Sequence, residues 1–205
     1  MTKALADSIF QKAKFSCLVT RLEDLPSDGL PQVLLAGKSN VGKSSLINRL
    51  CRQKRLAKTA QTAGKTRHLI FFDLASQFYL VDLPGYGFSK SSKAEQEHFS
   101  QLTDQYLHSA SPIHLILHVL DARHLPTKQD IAMIHWLEDV QAPYAILLNK
   151  SDKLSRPQQA VMRQKIHRLL LDETGIDFSL VSVSAETGLG IPELESLILD
   201  TLTLS

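Results

Sequence analysis

Short strand-like runs rich in apolar residues recur along the chain at 33–36, 68–74, 78–82, 114–120, 144–149 and 178–184. Between them lie stretches with helical patterning at 43–52, 93–109, 127–139, 156–172 and 191–202. The first set has the length of strands, the second the period of amphipathic helices. Their alternation predicts an α/β fold, a mostly parallel sheet of six or seven strands with helices on both faces. One exception is built in. Only Ala75, Ser76 and Gln77 separate the second and third runs, too few residues for a crossover, so those two strands form one antiparallel pair. Ser155 with Pro157, and Gly190 followed by Pro192, read as helix starts. Residues 14–20 are expected to add an edge strand ahead of Pro26.

The run Val33 to Ala36 leads directly into Gly37, Lys38, Ser39, Asn40, Val41, Gly42, Lys43 and Ser44, a complete Gly-x-x-x-x-Gly-Lys-Ser phosphate loop. A strand must turn sharply into a helix here. The glycines supply backbone freedom, and successive N–H groups are expected to face a polyphosphate, with Lys43 on the β and γ phosphates and the Ser44 hydroxyl on Mg²⁺. The loop specifies a nucleoside triphosphate but not its base. That information is expected from Asn149, Lys150, Ser151 and Asp152, which follow the apolar run Ala145 to Leu148 and so lie at the carboxyl end of a strand, where open α/β sheets bind ligands. An aspartate there accepts from guanine N1–H and the exocyclic amine together. Adenine offers no such donor pair, and an unpaired buried carboxylate is costly, so the base predicted is guanine.

Asn149 is expected on the other edge of the base, with the Lys150 stem along its face. Two further segments complete the set. Asp82, Leu83, Pro84 and Gly85 cap the run 78–82, placing a carboxylate to hold Mg²⁺ through water and a glycine amide to meet the γ phosphate. Val183, Ser184 and Ala185 end the last strand, where the Ala185 amide is expected to donate to the guanine carbonyl. The order and spacing of all four segments predict a P-loop GTPase domain, with GTP or GDP and Mg²⁺ as its ligands.

Gly64-Lys65-Thr66, the stretch Asp82-Leu-Pro-Gly-Tyr-Gly-Phe88 and Asp121-Ala-Arg-His124 together resemble the EngB family of bacterial GTPases, also called YihA or YsxC, of the Era-like translation-factor class. The resemblance runs from about Phe15 to the carboxyl terminus. It implies that Gly64, Lys65, Thr66, Arg67 and His68 border the nucleotide, with Thr66 joining Ser44 and Asp82 around Mg²⁺, and that Lys43, Thr66 and Gly85 carry the catalytic function. It also implies a part in large ribosomal subunit assembly and in normal cell division. Many family members have Thr-Lys-Ala-Asp where this chain has Asn149-Lys150-Ser151-Asp152, the general GTPase form. Asn40 stands where several Era-like relatives support a potassium ion bridging the phosphates, which makes K⁺ a further candidate cofactor.

A chain of 205 residues is long enough for one well-buried domain and short for two. The expectation is a single domain over 1–205, with 1–31 an amino-terminal extension and 32–205 the nucleotide-binding core. No apolar run approaches membrane-spanning length, and lipidation signals are absent. Cys17 and Cys51 are in no metal spacing, as expected of thiols in a reducing cytoplasm. The expected state is a cytoplasmic monomer, with no membrane or DNA partner.

Net charge is only +2, but it is unevenly spread. No acidic residue occurs from Gly29 to Phe72, while Lys38, Lys43, Arg49, Arg52, Lys54, Arg55, Lys58, Lys65 and Arg67 all fall there. Such a run is either a solvated surface or an electrostatic footprint for ribosomal RNA phosphates, and the second makes a precursor of the large ribosomal subunit the expected partner. A GTP-dependent interaction protein of the division machinery is the alternative. Ras-like enzymes set a water-orienting Gln directly after the Asp-x-x-Gly glycine. Tyr86 stands there instead, so intrinsic hydrolysis is expected to be slow.

Overall fold

The computed structural model describes residues 8–57, 68–86, 101–109 and 111–203. Gly64, Lys65, Thr66 and Arg67 fall outside the described residues, as do Lys58 and the first part of the helix expected over 93–109, whose remainder is helical at 101–107. Seven strands form one sheet: β1 Ala13–Val19, β2 Gln32–Gly37, β3 Leu69–Leu74, β4 Phe78–Asp82, β5 Ile113–Asp121, β6 Tyr144–Asn149 and β7 Ser179–Ser182, in the order β1-β3-β4-β2-β5-β6-β7. β3 alone runs against the others. It pairs antiparallel with β4 through the expected hairpin and antiparallel with β1 on its outer side, so the expected edge strand is present one residue early. The remaining pairs are parallel.

The central strands are largely apolar because both faces are covered, with His118 the buried polar residue within β5. Val33 and Leu35 pack in one cluster with Leu46, Ile47 and Leu50 of α1 (Lys43–Leu50) and with Leu194 and Ile198 of the carboxyl-terminal helix Ile191–Thr203. Leu34 and Ala36 point the other way, into a cluster with Tyr106, Leu107 and Leu137. Leu137 belongs to α2 (Lys128–Glu138). A third cluster, on α2 and α3 (Arg156–Thr174), joins Leu120, Ile134, Ile146, Ile166 and Leu170. The carboxyl-terminal helix is α4. Its partner on that face is α1, and α2 and α3 cover the opposite face.

Local signals mark the helix ends. Thr127 and Asp130 form a reciprocal capping box at the start of α2, and Ser155 with Gln158 does the same for α3. Gly175 closes α3 in the left-handed conformation, φ 75°. The sheet order changes direction at β2, whose neighbours are β4 and β5, so the carboxyl end of β2 opens into the crevice where such sheets bind ligands. Among the described residues no helix is long and apolar enough to cross a membrane.

Gly190 shapes the approach to α4 and with it the loop after β7. Its φ is 71°, and a Cβ there would lie 2.0 Å from the Ser182 carbonyl oxygen. Gly175 has nearly the same φ, 75°, but nothing within 4 Å of a Cβ. The two glycines separate conformational strain from collision. Gly175→Ala is expected to cost about 1 kcal/mol and Gly190→Ala at least about 3 kcal/mol, read as shifts in the urea midpoint of unfolding; equal shifts would show that the loop after β7 yields freely.

Candidate nucleotide site

The carboxyl ends of β2, β4, β5 and β6 bring together segments more than a hundred residues apart. Gly37 ends β2 at φ 151°, and a Cβ there would meet the Val119 carbonyl at 2.6 Å. Gly42 is the N-cap of α1 at φ 104°, and a Cβ on it would lie 2.5 Å from Asn149 Nδ2. Both positions therefore require glycine for space as well as for conformation. The loop between them walls a cavity of about 440 Å³. Lys38, Ser39, Asn40, Gly42, Lys43, Ser44 and Ser45 line it on one side, and His68, Ile70 and Asp82 to Gly85 on the other.

Lys43 is the first residue of α1 and is buried. Its ammonium donates to the Gly37 carbonyl at 3.1 Å, so the side chain folds back over its own loop, and it stands 4.0 Å from Asp82 Oδ1. Burial pulls the Lys43 pKa down, with Asp82 opposing the shift. Burial likewise pushes the Asp82 carboxyl up to about 6 against the pull of Lys43. Asp82 Oδ1 is buried without a hydrogen-bond partner. An orphaned carboxylate oxygen and the Ser44 hydroxyl, both lining the cavity, are hard oxygen donors, which fit Mg²⁺ held partly through water.

The base-side residues lie beyond the cavity rim. Ser184 Oγ donates to Asp152 Oδ1 at 2.6 Å, and Lys153 Nζ stands 2.9 Å from Oδ2. The Ser184 hydroxyl, with the help of Lys153, holds the Asp152 carboxyl below the usual range. Each carboxylate oxygen keeps a lone pair for a further donor. Lys150 reaches back to donate to the Asn40 carbonyl and to Asp121 Oδ2, both at 2.9 Å, so its stem spans from the base side to the phosphate loop.

Asn149 has a structural task as well. It is 1% exposed, its amide donates to the Val41 carbonyl at 2.9 Å, and its oxygen accepts from the Ala185 amide at 3.3 Å. It thereby braces the two loops with one amide N–H and its oxygen, and the second N–H is left for a further acceptor. The Ala185 N–H, expected to face the guanine carbonyl, is shared with that brace. Val41, Leu83, Ser151 and Val183 are likewise buried framework. Ser151 donates to the Leu148 carbonyl, and Ser151 N–H donates to that of Val183. Pro84 and Gly85 remain on the cavity wall.

Two contributors escaped the sequence reading. Burial would raise the Asp121 carboxyl, but hydrogen bonds from Arg123 and Lys150 outweigh it and hold the group well below the usual carboxylate range. Asp121 thus anchors Lys150. Its signal was available, since it ends β5 at the same edge of the sheet as Asp82 and Asn149 end theirs. Arg49, read only as part of a basic run, donates to the carbonyls of Ala185 and Glu186 and fastens α1 to the loop after β7.

Known proteins share this arrangement. Residues 32–150 match the family model described as 50S ribosome-binding GTPase. A probable GTP-binding protein EngB of Heliobacterium modesticaldum is 39% identical over 180 residues, 88% of this chain and 87% of that protein. Its counterpart in Syntrophomonas wolfei is 36% identical over 196 residues, 94% of this chain and 97% of that one. The chain belongs to the EngB family. It is a GTP-binding protein and a GTPase. The crystal structure of a probable GTP-binding protein EngB superposes with a TM-score of 0.69 at 23% identity, covering 85% of this chain and 100% of that one. Era in complex with MgGDPNP and nucleotides of 16S ribosomal RNA gives 0.62 at 23% identity, covering 84% of this chain and 57% of that one, and shares the fold.

If Asp82 holds Mg²⁺, it must do so ionised, and the burial that lifts its pKa to about 6 sets a pH limit. Below that value Mg²⁺ must displace a proton, so affinity for Mg²⁺·GDP is expected to fall about tenfold per pH unit. Asp152, held below the usual range, stays ionised through the same window. Titrations of GDP from pH 7.5 to 5 with Mg²⁺ are expected to bend near pH 6, while those in EDTA stay flat; parallel curves would remove Asp82 from the metal site.

Proposed function

We propose that this GTPase is a guanine-nucleotide switch that acts on precursors of the large ribosomal subunit through RNA phosphates. The observation that carries the reading is the exposure of Arg49, Arg52, Lys54 and Arg55 within the acid-free basic stretch. Lys43 is committed to the cavity, while Arg49 donates to the loop after β7 and Arg52 pairs with the buried Glu195 at 2.8 Å. Lys54 and Arg55 border a surface groove with Lys14 and the exposed ring of Phe15. Cations presented outward suit phosphate contacts of low sequence specificity. The family description and Era's ribosomal RNA complex agree in kind with this partner.

In the proposed mechanism the loop amides and Lys43 hold the β and γ phosphates, and Asp152 selects guanine. Ser44, Asp82 and Thr66 would hold Mg²⁺, which supplies charge neutralisation on the phosphate oxygens when bound. The Gly85 amide meets the γ phosphate, so its loss on hydrolysis releases that contact and changes the surface offered to RNA. Tyr86 is absent from the cavity lining, so no side chain directly after Gly85 is placed to orient water. Slow hydrolysis then calls for an outside contribution, from the ribosomal partner or from K⁺ near Asn40. The same switch, acting at the ribosome, accounts for the requirement in cell division expected from the resemblance.

Co-sedimentation with large-subunit precursors tests the reading. Retention is expected with a non-hydrolysable GTP analogue and to be weaker with GDP. Lys54→Ala combined with Arg55→Ala is expected to lower the salt dependence of binding by roughly 1.5 log units per log unit of salt, with GDP affinity unchanged. Arg52 is left in place because its removal would strand the Glu195 carboxylate. Undiminished retention and an unchanged salt slope in the double variant would move the function to a protein partner.

A further inference from the structure

Tyr86 follows Gly85, yet its side chain is directed to the face of the sheet that packs on α2. Its hydroxyl lies 2.5 Å from Asp130 Oδ1 and 2.7 Å from His118 Nε2, and His118 Nδ1 lies 2.6 Å from the Tyr144 hydroxyl. His118 on β5 is fully buried, and Asp130 nearly so. The second oxygen of Asp130 accepts from the backbone N–H and the hydroxyl of Thr127, both at 2.7 Å. The rings meet edge to face, Tyr86 on His118 at 6.0 Å and His118 on Tyr144 at 6.1 Å.

One placement of protons satisfies every contact. A carboxylate only accepts, so the Tyr86 hydroxyl donates to Asp130. The Tyr86 oxygen then receives the His118 Nε2 proton, and bare Nδ1 accepts from Tyr144. The imidazole is neutral, as burial requires by drawing its pKa down to about 4. Such a chain polarises in one direction and ends on the negative charge, which strengthens each member in a dry setting.

The backbone of the same residue is held on the other side. Ser39 N–H and Oγ donate to the Tyr86 carbonyl at 3.0 and 3.1 Å, and Ser39 Oγ also lies 3.2 Å from the Gly85 carbonyl. A Cβ on Gly85 would stand 2.9 Å from Ser39 N. Residue 86 is thus pinned twice, to the phosphate loop by its backbone and to α2 by its hydroxyl.

We propose that Asp130 is a positioning residue for GTP hydrolysis, acting through the Tyr86 hydroxyl to hold Gly85 in register with the phosphate loop. The proposal rests on the reading of Gly85 as the group that meets the γ phosphate. A bond of this kind, donated to an ionised acceptor out of water, is strong enough to change binding or rate by an order of magnitude. GDP, which has no γ phosphate, is indifferent to it.

Tyr86→Phe removes a single oxygen and leaves the α2 cap intact, whereas Thr127→Ala weakens the cap and leaves the Tyr86 bond. Affinities for GDP and a non-hydrolysable GTP analogue, and single-turnover hydrolysis rates, are measured for both with thermal melts alongside. Tyr86→Phe is expected to lose about tenfold in analogue affinity and in rate with GDP affinity within twofold of wild type. Thr127→Ala is expected to melt lower and keep the wild-type ratio. A folded Tyr86→Phe protein with unchanged analogue-to-GDP ratio and rate overturns the role of the pin. The ¹⁵N spectrum of the wild-type His118 ring gives an independent reading that needs no variant: protonated Nε2 and bare Nδ1 are expected, and the opposite tautomer overturns the chain. A wild-type protein that holds GDP and the analogue equally would overturn the Gly85 reading itself, which keeps the two failures apart.

Discussion

The buried side-chain amide of Asn149 holds the two halves of the nucleotide site together. Its nitrogen is bonded to the phosphate loop at Val41 and its oxygen to the loop after β7 at Ala185, at the end of a strand that lies between. Gly42 must be glycine because a Cβ would collide with that same amide. Two further ties run in parallel, Lys150 to the Asn40 carbonyl and Arg49 to the carbonyls of Ala185 and Glu186. The two loops are thereby one body: neither can relax without breaking the buried bond from Asn149 to Val41, which costs about 1–3 kcal/mol if left unmade.

The opposite wall of the cavity is attached differently. Asp82 to Tyr86 leaves the end of β4 and touches the phosphate loop through Ser39, while the buried Leu83 side chain and the Tyr86 hydroxyl anchor it on the far side. Under the proposed switch, this is the wall that reports the phosphate count. The basic stretch holds both kinds of cation. Lys43 is buried in the cavity, Arg49 and Arg52 combine exposed surface with bonds to the loop after β7 and to Glu195, and Lys54 and Arg55 are exposed.

Much of the fold was legible because both faces of the central strands are covered, which makes each a largely apolar run, and because Ser155 with Pro157 and Gly190 before Pro192 mark helix starts. Spacing also carried the phosphate loop, since its glycines are fixed by local collisions. What spacing did not carry is the lateral order of strands. That order sets Asn149 under Val41, Asp121 beside Lys150, and His118 between Tyr86 and Tyr144. The bracing role of Asn149 is invisible to a motif, which reports residue type at a strand end and not the contacts of the side chain. The bonds of the exposed Arg49 and Arg52 are hidden for the same reason, since their partners lie 136 and 143 residues away.

The claim that base and phosphate loops form one braced body is tested most directly by the affinity of the Asn149→Ala protein for fluorescent GDP, measured beside its thermal melt. Affinity at least about tenfold weaker than wild type is expected in a protein that still folds, because both loops lose their common partner. GDP affinity equal to that of the wild type would contradict it and return Asn149 to the role of a passive core residue.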